Sequence, residues 1–423
     1  MNEETRITKN QNIKLSILET KKRREKQVCK TYTCKIDKSH LSKDKLNFLR
    51  KLFLEAKWLY NYQLSLDDIF DIPDNIKEVT ILNKDKLPEQ RELKTLSSQM
   101  IQELIQRTKA SIYALSQLKA LGFKAGKLKY KSFIGSIPLK QYNNTYKIID
   151  DKYIKIQGYK KYFKVRGLKQ IPKNAEYTRA TLVNRLGNFY LLITCYLPKL
   201  PKELTGSVIG LDFGIKDNIT TSNGEKYNFS FPETRQIKKA SRKVNKAKKG
   251  SNNRNKKKKK LSKAHQNLTN QKKDAKNKIV SELVKGNDKI CIQDENIAAW
   301  KSSKMKGWGK RIQHSIMGGI ISDLKKRSET TVIDKWYPST KLCPTCGVLN
   351  VLRLSDRIYK CDCGYSEDRD IHSAKNILAE GLRISTGRRN LMPVEKFASI
   401  LIYLNWFIIS IQASSMKQEA MRL

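Results

Sequence analysis

SVIGLDFGIKDNITTSNGEKYNF, residues Ser207 to Phe229, reads as three strands in a meander. An apolar first strand ends in Asp212, a turn and a second strand follow, and Asn223-Gly224 marks a tight hairpin into the third. A carboxylate that closes an apolar strand ahead of Phe213-Gly214 is either solvated at the strand edge or holds a cation, because burying it unpaired is expensive. A second apolar strand, in DKICIQDENIAAW from Asp288 to Trp300, again runs into carboxylates, Asp294 and Glu295. DRDIHSAKNI, Asp368 to Ile377, supplies Asp370 at or just before a helix start. Taken singly, each acid is weak evidence, since a capping Asp or a surface Glu is the commoner case. Acids on strand, strand and helix, with four histidines and no Ser/His/Asp set, suit hard oxygen-ligand cations such as Mg²⁺ or Mn²⁺. Two such ions, about 3.5 to 4 Å apart, activate water and stabilise the leaving 3′ oxygen of a phosphodiester.

The stretch between the second strand and DRDIHSAKNI carries a different pattern. CPTCG (Cys343 to Gly347) and CDCG (Cys361 to Gly364) each place Gly directly after the second thiol, where the chain turns around an ion, and 14 residues separate the pairs. Four thiolates give a closed, structural tetrahedral zinc site on Cys343, Cys346, Cys361 and Cys363, with free thiols in an intact ribbon as the bland alternative. The second pair has one intervening residue instead of two, which strains the knuckle. Cys29, Cys34, Cys195 and Cys291 show no such clustering and read as ordinary strand or surface residues.

Charge names the kind of partner. The 423 residues hold 86 Lys plus Arg against 40 Asp plus Glu, a formal charge of +46, which points to a polyanion and to strongly salt-dependent binding. Residues 234–273 contain 17 Lys or Arg and no acid. Ile237, Val244 and Ala247, then Leu261, Ala264, Leu268, Ala275, Ile279 and Leu283, keep a helical stripe on either side of a turn at GSNNRN. A basic helical hairpin is expected, with Lys238, Lys239, Arg242, Lys243, Arg254 and Lys256, Lys257, Lys258, Lys259, Lys260 free to track a phosphate backbone. A membrane is the weaker partner: the most apolar stretch, Phe397 to Ile411, is 15 residues long, short of the ~20 that span a bilayer, and reads as a buried helix. The first residues lack the apolar core and cleavage site of a secretory signal, so a cytoplasmic, nucleoid-associated protein is expected.

Upstream, residues 1 to 27 are polar and predicted to be loosely ordered until a partner binds. VCKTYTCKI from Val28 reads as a strand. Two helical stripes follow, around Leu46, Leu49, Phe53, Ala56 and Leu59, and around Leu93, Leu96, Met100, Leu104, Ile112, Leu115 and Leu118. From Lys127 to Leu197 short strands predict a small barrel completed by the early strand. Its Tyr130, Phe133, Tyr142, Tyr146, Tyr153, Tyr159 and Tyr162, interleaved with Lys, suit stacking on RNA or single strands, or simply reflect the preference of aromatics for strands.

GLDFG, the basic hairpin with GSNNRN, QDEN, WYPSTKLCPTCG, YKCDCG and DRDIHSAKNI occur in an order that resembles transposon TnpB proteins and the miniature type V-F CRISPR effectors, over most of residues 127–391. The resemblance implies an RNA-guided DNA endonuclease with a single RuvC site that cuts beside a short, T-rich flanking motif. It implies a multidomain α/β chain: 1–27 a flexible basic N-terminus; 28–40 with 124–203 a β-barrel wedge domain; 41–123 a helical recognition lobe; 204–340 with 365–423 an RNase H-like RuvC nuclease domain carrying the basic hairpin 232–285; 341–364 an inserted zinc ribbon. The RuvC acids and Mg²⁺ (or Mn²⁺) ligands would fall on Asp212, Glu295 and Asp370, the partners would be guide RNA and target DNA, and the CRISPR relatives imply a homodimer on one guide where the transposon relatives imply a single copy. The chain departs from the pattern twice. The family often has a Glu where Gln293, Asp294 and Glu295 stand here, and His372 stands where Asn is common. Rival readings are a guide-dependent DNA-binding protein that does not cut, and a transposase accessory protein.

Overall fold

The structure is a computed structural model that describes residues 3–386 except 84, 86, 200–203, 303–306 and 354. The apolar stretch Phe397–Ile411 and the end of the expected nuclease domain lie outside the described residues. The chain divides into two compact units, Met1–Pro201 and Lys202–Leu423.

The first unit opens with helix α1 (Glu3–Glu25), where the sequence predicted loose order. Glu, Lys, Arg and Gln are good helix formers, so a segment with nothing to bury still has a local reason to coil. Its last turn is tied down: the Arg24 guanidinium lies 3.5 Å from the Tyr196 ring centroid and 2.6 Å from the Glu176 carboxylate. Strand β1 (Gln27–Ile36) then joins β4 (Ser136–Leu139), β5 (Tyr146–Ile148), β6 (Tyr153–Ile156), β7 (Phe163–Arg166), β8 (Glu176–Arg185) and β9 (Asn188–Pro198). The order β4-β8-β9-β1-β7-β6-β5 puts β4 and β5 at the two edges, and a bridge from Tyr142 to Tyr146 brings those edges together, so the sheet is a nearly closed barrel. Alternate residues fill it, among them Ile137, Ile154, Phe163, Leu182, Leu191, Ile193 and Cys195, each fully buried. Tyr146 belongs to this core, whereas Tyr130, Phe133 and Tyr162 are exposed.

Between β1 and β4 lie helix α2 (Lys43–Ser65), the hairpin β2 (Glu78–Leu82) and β3 (Pro88–Glu92), which the sequence reading missed, and helix α3 (Ser98–Ala120). The predicted second stripe began at Leu93, but α3 starts later. The Glu55 carboxylate accepts from the backbone N–H of Thr95 (2.8 Å) and Leu96 (2.9 Å), and the Ser97 hydroxyl caps Met100 N–H, so those residues are spent on the entry turn. Met100, Leu104 and Ile105 are buried, but Ile112 and Leu115 are only half-buried and Leu118 is 43% exposed.

The second unit is built on the meander read from Ser207–Phe229: β10 (Val208–Asp212), β11 (Ile219–Thr221) and β12 (Lys226–Tyr227), each antiparallel to the last. Helices α4 (Arg235–Asn245) and α5 (Asn252–Gly286) form the basic hairpin, and Ser251 caps α5, so Asn252–Asn255 of the expected turn are already helical. Strand β13 (Lys289–Gln293) returns parallel to β10, and after helices α6 (Ile297–Ser302), α7 (Trp308–His314) and α8 (Met317–Arg327), strand β14 (Glu329–Ile333) lies parallel to β13. The sheet order is β12-β11-β10-β13-β14. A two-stranded hairpin, β15 (Ile358–Lys360) and β16 (Ser366–Asp368), leads into helix α9 (Arg369–Ser385).

Two layers of helix enclose this sheet. On one face Ile209, Leu211, Ile290 and Ile292 pack with Val280, Leu283, Met317, Ile320 and Leu324. On the other, Cys291 and Ile333 pack with Ile377 of α9. Helix α9 lies very close: a Cβ on Gly210 would stand 2.1 Å from the Ala374 carbonyl oxygen, and one on Gly381 would stand 2.4 Å from the Cys291 Sγ. Among the described residues, no helix is long and apolar enough to cross a membrane.

Candidate active site and metal centre

The acids expected from sequence sit where the α9 face of the sheet meets the helix start. Side chains alternate along β10, so with Ile209 and Leu211 on the opposite face, Asp212 points toward α9. Its Oδ1 accepts a hydrogen bond from the Ser373 hydroxyl at 2.9 Å. Asp370 occupies the first turn of α9. Asp368 is that helix's cap: its Oδ1 accepts from the backbone N–H of Asp370 (3.0 Å) and Ile371 (3.2 Å), while Lys226 reaches its Oδ2 at 3.0 Å. Asp368 is thus occupied with building the helix start, and Asp370 is the acid presented beside it.

The expected strand termination in Asp294 and Glu295 is off by a residue. Strand β13 ends at Gln293, Asp294 is exposed and lies 3.6 Å from the Lys325 ammonium, and Glu295 is half-buried just beyond the strand. Burial pushes the Asp212 carboxyl up to about 7; the Ser373 hydroxyl opposes this, and the carboxylates of Asp370 and Glu295 add to it. Burial, then the neighbouring Asp294, push Glu295 up to about 7 as well. Asp370 and Glu295 thus lie near enough to act on Asp212, as does Arg369, which stands beside Asp370 at 3.4 Å; among the described residues, the group of side chains already drawn together tightly enough to hold an ion is the cysteine quartet. Several carboxylates with too little positive charge among them suit a divalent cation by donor chemistry.

Behind Asp212 runs a buried polar chain that the sequence reading did not find. Ser373 Oγ is 3.1 Å from Ser339 Oγ, and the Ser339 hydroxyl donates to Gln293 Oε1 at 2.9 Å. Gln293 Nε2 donates to the carbonyls of Asp334 (3.1 Å), Lys335 (3.3 Å) and Tyr337 (2.8 Å), which fixes the amide's orientation. Ser373 had a sequence signal, since it lies one helical turn after Asp370. Ser339 had none, because a loop brings it in.

The four cysteines meet. Their Sγ atoms all lie within 4.8 Å of one another, with Cys343 to Cys363 at 3.6 Å and Cys346 to Cys361 at 3.5 Å. A tetrahedron of thiolates about 2.3 Å from a zinc ion has edges of roughly 3.8 Å, so the cluster has the size of such a site. Burial pushes the Cys343 thiol up, but the backbone N–H groups of Cys346 and Thr345 and the neighbouring sulfurs outweigh it and bring it down to about 6. The single-residue spacing of Cys361 and Cys363 is accommodated by Gly364, at φ +91°, with its N–H bonded to the Cys361 carbonyl at 3.0 Å. His372, which stands where Asn is common in the family it resembles, stacks on Tyr359 of the hairpin with centroids 3.8 Å apart; burial drives its pKa down to about 4. It fastens α9 to the cysteine cluster as a neutral ring.

On the basic hairpin, Ile237, Val244, Val280 and Leu283 are buried, while Lys238, Lys239, Arg242, Lys243, Lys256, Lys258, Lys259 and Lys260 are exposed and Lys257 is half-buried. Arg254 is drawn partly inward: its Nη1 donates to the Ala247 carbonyl at 2.8 Å, closing the turn.

Comparison with known proteins matches two families: one described as "Probable transposase" over residues 193–304, and one described as "Cas12f1-like, TNB domain" over residues 324–377. A Streptomyces pristinaespiralis protein named "Putative RNA-guided DNA endonuclease" is 33% identical over 240 residues, covering 54% of this chain and 59% of that one. A TnpB-like protein of Acanthamoeba polyphaga mimivirus is 29% identical over 215 residues, covering 46% of this chain and 41% of that one. The chain thus spans about half the length of these relatives. Among solved structures, a chain of a Cas12f1-sgRNA-target DNA complex aligns with a TM-score of 0.46 at 14% identity, covering 79% of this chain and 83% of its own.

Proposed function

We propose that this chain, which belongs to the family of TnpB proteins and Cas12f effectors, is an RNA-guided DNA endonuclease with a single RuvC-type site. The observation that supports the reading is that Asp370 from α9 and Glu295 from just past β13 both act electrostatically on the buried carboxyl of Asp212 at the end of β10. The sheet supports it: a three-stranded antiparallel meander continued by two parallel strands, with a helix across the acidic face, is the arrangement expected of an RNase H-like nuclease. Asp212, Asp370 and Glu295 would hold Mg²⁺ or Mn²⁺, which supplies Lewis acidity and a nucleophilic hydroxide at neutral pH. Ser373 orients Asp212 through its hydrogen bond to Oδ1. The Asp368 cap fixes the helix start that presents Asp370. Cys343, Cys346, Cys361 and Cys363 would hold a structural zinc.

In this reading the barrel corresponds to a wedge domain and α2, α3 and their hairpin to a recognition lobe. Guide RNA pairing supplies most of the specificity, while the protein reads a short flanking duplex. The exposed lysines of α4 and α5 neutralise phosphates without reading sequence. A plasmid carrying a target matched to the RNA that copurifies with the protein tests the proposal. Cutting with Mg²⁺ that disappears in Asp212→Ala is expected; no cutting, or cutting that survives the substitution, would reject it.

One observation favours a second reading, guide-directed DNA binding without cleavage. The strand position beside Asp212 is filled by the neutral amide of Gln293, not by an acid. Target binding with no cutting across Mg²⁺, Mn²⁺ and Co²⁺ would select it.

A further inference from the structure

Position 293 decides how much charge the cation site carries. The parallel ladder pairs Leu211 with Ile292, so Asp212 and Gln293 are the next step on neighbouring strands, which run about 4.8 Å apart. Both side chains point to the α9 face, because Leu211 and Ile292 point to the other. Two adjacent strand ends that deliver side chains to one side, with Asp370 arriving from the helix above, form a natural three-sided cage. Two of its sides are carboxylates. The third is an amide whose oxygen accepts from Ser339 and whose nitrogen is held by three backbone carbonyls, so it is turned to those partners and brings the cage no charge. Glu295 lies two residues further on, outside the strand.

We infer that Gln293 leaves the cation site one carboxylate short, so that this chain holds divalent ions weakly through Asp212, Asp370 and the off-strand Glu295, and that an acid at position 293 would tighten the site. The inference rests on reading the acidic cluster as a cation site. The charge count sets the direction, since affinity for hard cations rises with the number of anionic oxygens in the shell. The local geometry sets it too. A carboxylate at 293 would face the oxygens of Asp334, Lys335 and Tyr337 without a proton to share, and would be driven from them toward Asp212 and Asp370, where a cation rewards it.

The test is Mn²⁺ titration of the full-length, guide-free protein by calorimetry, alongside thermal melts with and without Mn²⁺. Gln293→Glu should bind Mn²⁺ at least tenfold tighter than wild type and show a larger Mn²⁺-induced rise in Tm, from a lower metal-free Tm. Glu295→Gln should lose binding, and the exchange Gln293→Glu with Glu295→Gln, which keeps the net charge, should recover it. Mn²⁺ affinity in Gln293→Glu that equals or falls below wild type overturns the inference and makes Gln293 a structural lock. Should Gln293→Glu not fold, Gln293→Asp, too short to reach the three carbonyls, is judged by the same criterion. Gel-shift of matched DNA by the wild-type guide complex runs separately: its failure strikes the functional reading, and leaves the metal measurement standing.

Discussion

Asp212 pays for its position in stability. A carboxyl held to about pH 7 in the folded chain but ionising near its ordinary value when unfolded contributes stability below about pH 4, and that contribution is lost as pH rises toward 7. Metal-free protein should therefore melt lower at pH 8 than at pH 5.5, with Glu295 acting in the same direction. Asp212→Asn removes the ionisation and should raise the metal-free Tm at pH 8 by several degrees, on the order of 2 kcal/mol after allowing for solvent screening, while abolishing the proposed cleavage. Differential scanning calorimetry of both proteins at the two pH values checks this; an equal or lower Tm for Asp212→Asn at pH 8 would show that the carboxylate is not strained. The residues themselves were legible in sequence: acids closing apolar strands stand out because burial makes them improbable without a purpose. Gln293 stood in plain view within QDEN, yet its significance depends on which residue lies beside it.

At the scale of elements, the site depends on how closely α9 lies on the sheet. Gly210 and Gly381 permit that approach, since any Cβ there meets backbone or a buried sulfur. Gly210→Ala must lift the helix away from β10, costing roughly 1–3 kcal/mol as overpacking does, and should weaken Mn²⁺ binding as well, because Ser373 and Asp370 ride on α9. A Gly210→Ala protein with wild-type Tm and Mn²⁺ affinity would contradict this placement. The cysteine hairpin enters the same helix through Asp368 and the stack of His372 on Tyr359. Chelating the expected zinc should lower Tm and loosen the start of α9, read as faster amide exchange at Asp370 and Ile371, whereas unchanged exchange would separate the ribbon from the site. Sequence pattern gave most elements here, and failed at their ends. Helix α3 begins after Leu96 because Glu55, far away in the chain, claims the preceding N–H groups, and no local pattern reports such a partner.

For the whole molecule, +46 of formal charge makes nucleic-acid affinity steeply dependent on salt. Replacing Lys256, Lys257, Lys258, Lys259 and Lys260 by Gln should weaken binding to matched and unmatched DNA alike. It should reduce the slope of log K against log salt by about 3.5 to 4.5, given ~0.7–0.9 per phosphate contact. A slope unchanged in fluorescence anisotropy would place this run away from the backbone. Composition and spacing by themselves gave the expectation of a polyanion partner, the cysteine quartet, most of the helices and strands and the candidate acids, because charge, thiol spacing and hydrophobic period are properties of the chain that no folding can alter. Only the tertiary structure decided which side chains became neighbours: that Ser339 and Ser373 stand behind Asp212, that an amide occupies the adjacent strand end, and that His372 is a packing ring. Those facts follow from strand register and helix-to-sheet distance, which are set by contacts between residues tens to hundreds of positions apart.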